Sequence, residues 1–130
     1  MKNLEVYEHS VLKVKVIYII DRDYHKSIKI EDILFCKAEG NYTQVHLEDS
    51  KQITISRSLC EMEKRLCELG IMRCHFSYLV NIKKIETFNR KEKNIRLSGY
   101  KIPVSRKRSK DVFRTLVEYG IKETRISNTK

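Results

Sequence analysis

Residues 71 to 81 read IMRCHFSYLVN, and residues 102 to 106 read IPVSR. Residues 71–80 form an apolar run with polar interruptions, the pattern of a short strand packed on a core. Residues 101–104 read as another short strand, entered by a tight turn at Ser98, Gly99 and Tyr100. Working outward, residues 84–89 and Asn94–Leu97 read as two strands joined by Arg90, Lys91, Glu92 and Lys93. Upstream, Tyr42–Leu47 and Gln52–Ile55 alternate around Glu48, Asp49 and Ser50, as a hairpin does. Residues 27–36 alternate and then run Ile33, Leu34, Phe35, Cys36, which predicts two strands with a kink at Glu31 and Asp32. A turn is expected at Glu39, Gly40 and Asn41. Residues 11–20 are rich in β-branched side chains and predict a first strand, with a polar turn over 21–26.

Two stretches change period. In 57–69, Leu59, Met62, Leu66 and Leu69 fall on one helical stripe, and Glu61, Lys64, Arg65 and Glu68 occupy the opposite face. Ser58 is placed to cap this helix with Glu61 as its capping-box partner, and Gly70 to end it. In 109–119, Val112, Phe113, Leu116 and Val117 lie at helical spacing, with Gly120 as the stop. Ser105 reads as a cap for this second helix. The expected fold is mostly β, short antiparallel strands with two short helices. Its domain spans residues 11–120, with a mobile lead-in at 1–10 and a polar tail at 121–130.

The chain has 130 residues, 41% hydrophobic and 34% charged, which suits one globular domain with a heavily charged surface. Its formal net charge is +10, and the placement of that charge says more than its size. Residues 1–50 carry 7 basic and 9 acidic side chains; residues 51–130 carry 20 and 8. Between 83 and 110 there are 11 basic residues against only Glu86 and Glu92. Such asymmetry predicts a side that faces a polyanion, with a solvated lysine surface as the plain alternative.

Cys36, Cys60, Cys67 and Cys74 lack CxxC spacing and sit among apolar neighbours, so they read as small hydrophobes with free thiols in a reducing compartment. No metal site or cofactor is expected. The N-terminus has no apolar signal core, and the apolar patch at 16–20 is too short to span a membrane. These features predict a cytoplasmic protein. A glycine-rich phosphate loop, GxSxG and HExxH are all missing, and His9, His25, His46 and His75 are scattered, so no enzyme is expected.

The two opening stretches also resemble a known family. Arg73, His75, Ser77, Tyr78, Leu79, Val80 and Asn81, followed by Pro103, Val104, Ser105 and Arg106, match the pattern of LytTR bacterial DNA-binding domains. Ile33, Phe35, Ala38, Asn41 and Tyr42 resemble the family's upstream segment, and Ser58, Leu59, Met62 and Glu63 resemble its helix entry. The resemblance covers about residues 11 to 116. Two departures stand out. Phe76 follows the motif histidine where Arg or Asn is common, so any polar contact from that position is lost. Ile71 and Met72 replace a phenylalanine, a conservative core change.

The resemblance implies an elongated β-rich domain that lays loops into successive major grooves of double-stranded DNA, in a bacterial transcriptional regulator. It implies base contacts from Asn81 and Arg106, with Asn41 and Tyr42 on a third loop. It also implies a receiver domain in many members and pairing of two copies on repeated half-sites. Ten residues before the first strand leave a free-standing regulator or a piece of a longer one. The chemistry is compatible. Arg106 can offer its fork to guanine O6 and N7, and the Asn81 carboxamide can donate and accept at a base edge. Lys83, Lys84, Lys107, Arg108, Lys110 and His75 are the candidate phosphate contacts.

Each residue has a plainer role open to it. Asn81 can close a turn through its side chain, Arg106 can pair with Glu86, and His75 can be a hydrogen-bonded structural residue. The alternative for the whole chain is a basic protein- or RNA-interaction module without sequence-specific DNA readout. RNA modules stack bases on exposed aromatics, whereas several aromatics here lie in apolar runs.

Overall fold

The computed structural model of the chain describes residues 3–9, 14–21, 24–119 and 125–127. At its centre is a five-stranded antiparallel sheet. It comprises β4 (Ile33–Glu39), β5 (Tyr42–Leu47), β6 (Gln52–Ile55), β7 (Ile71–His75) and β8 (Tyr78–Asn81), in the order β6-β5-β4-β8-β7. The middle strand β4 is covered on both faces, which explains why Ile33 to Cys36 are continuously apolar and not alternating. One face carries Cys36, Val45, Leu47 and Leu79 into a first core; Leu34, Phe35 and Val80 turn toward a second.

Helix α1 (Leu59–Leu66) closes the first core with the expected stripe of Leu59, Met62 and Leu66. Burial of each such side chain contributes about 1.5–3 kcal/mol. The Ser58 hydroxyl accepts the Glu61 N–H at 3.2 Å, as predicted, while the Glu61 carboxylate is held by Arg57 at 3.0 Å. Gly70 ends the turn after α1 at φ +89°, a conformation costly for any residue with a Cβ.

The second core lies under β9 (Thr87–Asn89), β10 (Asn94–Leu97) and β11 (Tyr100–Pro103), with helix α2 (Ser109–Glu118) packed through Val112 and Leu116. Val117, counted with that stripe in the sequence, is exposed. Strand β9 starts later than the alternation suggests, because Ile82–Lys84 take one turn of 3-10 helix.

The N-terminal strands form a separate antiparallel ribbon of β1 (Asn3–His9), β2 (Val14–Asp21) and β3 (Tyr24–Lys29). Residues expected as a lead-in thus include a strand that pairs with β2 from Asn3↔Ile20 to His9↔Val14. The turn expected over 21–26 is also shorter, since both its ends are strand. Within the expected tail, β12 (Arg125–Ser127) runs parallel to β9. The expected stop at Gly120 lies outside the described residues.

Candidate nucleic-acid interface

Strand direction sorts the expected site residues onto two ends of the central sheet. Lys37 pairs with Tyr78 and Glu39 with Tyr42, so the β4–β5 turn at Gly40 and Asn41 lies at the same end as the β7–β8 turn at Phe76 and Ser77. The Ala38 N–H donates to the Ser77 carbonyl at 2.9 Å and ties the two turns together. The Ser105 N–H donates to the Cys74 carbonyl at 3.0 Å, which brings the segment carrying Arg106 beside them. Asn41, Tyr42, Phe76 and Arg106 therefore share one rim. All four are exposed.

Arg106 stands on a braced mount. Val104 is buried and its N–H donates to the Lys93 carbonyl at 2.8 Å. Ser105 caps the following 3-10 turn, Arg106–Arg108, by accepting the Arg108 N–H at 3.3 Å on its hydroxyl. Among the described residues the Arg106 guanidinium has no acidic partner. Glu86, its candidate partner in the sequence, instead accepts the Ser98 N–H at 3.1 Å.

Arg106, Lys107, Arg108 and Lys110 crowd the entry to α2. Cations repel one another there and oppose the positive end of the helix dipole. The nearest acid on the helix, Asp111, is turned toward Arg114 at 3.5 Å. An anion at this entry relieves both repulsions, which is the electrostatic condition for phosphate binding.

Asn81 is a correction to the sequence reading. It is only 3% exposed and lies at the far end of β8, about 13 Å from the rim by strand rise. Its Nδ2 donates to the Ile33 carbonyl at 2.7 Å and the Ile30 carbonyl at 3.3 Å; its Oδ1 accepts the Lys83 N–H at 3.2 Å. A buried amide with both donors and its oxygen engaged inside the fold is not presented to a base edge. The turn-closing role is the one Asn81 performs.

Lys83 and Lys84 follow Asn81 to that far end. There they line a recess of about 470 Å³ whose wall also includes Lys15, Glu31 and Glu68. Lys84 pairs with Glu48 at 3.2 Å. These surroundings have mixed charge.

The Phe76 turn, and not Asn81, lies at the rim. Arg73 builds it from behind. Its Nε donates to the His75 carbonyl at 2.9 Å, one Nη to the Phe76 carbonyl, and the other pairs with Glu63 at 2.9 Å. Arg73 is thus spent on structure despite its place in the basic stretch. His75 Nδ1 accepts the Ser77 N–H at 3.0 Å, which puts the proton of the neutral ring on Nε2. That leaves His75 half-buried, with a structural bond on one nitrogen and a donor on the other. Phe76 itself is 82% exposed. The sequence showed it only as a departure from a motif.

Cys36 and Cys74 are core thiols, both pushed up to about 12 by burial. Cys60 and Cys67 are exposed, on and after α1. All four are free, and no cluster of three metal-ligating side chains occurs among the described residues. No helix among them is long and apolar enough to cross a membrane.

Together these features describe a β-sheet domain that presents loops on a braced, cation-rich rim. The model of the LytTr DNA-binding domain family matches residues 23–117. The chain belongs to that family; β1, β2 and β12 lie outside the matched residues. Its structure is similar to the LytTr DNA-binding domain of a protein from Bacillus cereus described as a methyl-accepting/DNA response regulator. The TM-score is 0.61 at 26% identity, over 78% of this chain and 95% of that one. No curated protein matches the chain.

Proposed function

We propose that this domain reads double-stranded DNA sequence-specifically for a bacterial transcriptional regulator in the cytoplasm. The observation that carries the reading is Arg106. It is an exposed guanidinium without an acidic partner among the described residues, fixed by Ser105 and Val104 on the rim shared with Asn41, Tyr42 and Phe76. Family membership supplies DNA as the polyanion. In this account Arg106 reads a guanine by two parallel hydrogen bonds, and Asn41 and Tyr42 contact bases from the neighbouring turn. Lys107, Arg108 and Lys110 neutralise phosphates, and His75 donates to one through Nε2. Lys83 and Lys84 serve a more distant stretch of backbone, and Lys84 exchanges Glu48 for phosphate there.

A competition assay at fixed salt tests the reading. A duplex selected by the protein is expected to outcompete random duplex. Equal competition by random duplex, RNA and heparin would replace the reading with a basic interaction module. Two copies on repeated half-sites would show as selected sites with two half-sites about one helical turn apart.

A further inference from the structure

Phe76 has the highest exposure of the large apolar side chains described, 82% against 58% for Val117, the next. Leaving a phenyl ring in water forgoes burial worth about 1.5–3 kcal/mol, yet the turn beneath it is tightly held. Arg73 donates to the carbonyls of His75 and Phe76, and the Ser77 N–H is fixed on His75 Nδ1. The ring therefore stands on a rigid mount. With two side-chain torsions it also loses little entropy on contact. It occupies the rim between the Asn41 turn and Arg106.

The apolar group that base edges offer in the major groove is the 5-methyl of thymine. We propose that Phe76 packs against a thymine methyl, beside the base pair that Arg106 reads. The position lost as a polar contact thereby becomes an apolar reader. This inference rests on the DNA-reading role proposed above.

The test uses the intact chain and a duplex selected from a random pool. Each thymine is replaced in turn by deoxyuridine, which removes only the methyl. One thymine per bound copy is expected to lose about fourfold in affinity, the equivalent of one buried methyl-sized group. Phe76→Ala is expected to bind the thymine and deoxyuridine duplexes equally, and Phe76→Leu to keep part of the difference. Both variants should unfold at the parent midpoint, because the ring packs on little.

Three results would overturn the inference while leaving the DNA-reading role intact. The first is a selected site insensitive to deoxyuridine throughout. The second is a sensitivity unchanged in Phe76→Ala. The third is a uniform loss across all sequences in that variant, which marks Phe76 as a wedge or a partner contact. A chain that selects no site at all refutes the DNA-reading role itself, and this inference with it.

Discussion

Replacing Asn81 by alanine separates a structural amide from a base reader. The substitution removes three hydrogen bonds: two from Nδ2 to the Ile30 and Ile33 carbonyls, and one from the Lys83 N–H to Oδ1. At about 1 kcal/mol net for each bond, the loss is about 3 kcal/mol. The Ile30 carbonyl keeps the Ile33 N–H, so it is not stranded; the Lys83 amide loses its side-chain acceptor. At about 4 °C per kcal/mol for a domain of this size, Tm falls by about 12 °C. Asn81→Asp should be worse, because it replaces a donor by an acceptor that faces two carbonyl oxygens. Thermal unfolding followed by circular dichroism gives the stability loss. Site selection well below the transition then gives the base preference of the folded variant. The structure predicts a large loss of stability with an unchanged preference. An unchanged midpoint with one relaxed base pair would refute the reasoning and return Asn81 to the readout.

Two further outcomes follow from the same geometry. Lys107→Ala is expected to weaken all duplexes alike and to lower the slope of log K against log salt by about one, measured by titration at several salt concentrations; a changed base preference would contradict its phosphate role. His46 is stacked on Phe35 at 4.3 Å, and its pKa lies below the ordinary 6.5 because burial, and then Lys37, penalise the imidazolium. Above pH 6.5 both folded and unfolded forms are neutral and stability is fully present. As pH falls through that value the unfolded chain takes up the proton first, so the fold weakens until the folded pKa is passed. Urea midpoints measured from pH 7.5 to 5 should therefore fall less in His46→Phe than in the parent, and parallel curves would contradict this.

The elements of the fold were legible where one physical signal dominates. The stripe of Leu59, Met62 and Leu66, with Ser58 before it and Gly70 after, fixes α1 in the sequence as in the structure. The kink at Glu31 and Asp32 is there as a 3-10 turn, and the hairpin Tyr42–Leu47 to Gln52–Ile55 has its expected limits. The strand at Asn3–His9 was missed because its alternation, Asn3 to Val6, is short and gives way to Tyr7, Glu8 and His9.

The site was harder for a chemical reason. The carboxamide that suits a base edge equally suits two backbone carbonyls and an amide. Nothing in the sequence around Asn81 says which way it points, and only the register of β8 against β4 and β7 does. The Lys84–Glu48 pair and the Arg73–Glu63 pair likewise join residues whose proximity is set by the fold. Phe76 was visible only as a missing polar group, because exposure is a property of the folded turn. The capped setting of Arg106 was legible because Ser105 stands directly before it.

The most direct test of the account compares the base preferences of the parent chain and Arg106→Ala, both selected from one random duplex pool at one salt concentration. The account predicts a defined site for the parent. For the variant it predicts an affinity loss of about 1–3 kcal/mol, with preference relaxed at a single G·C pair and retained elsewhere. An identical preference profile in the variant, or a parent that selects no site, would contradict it.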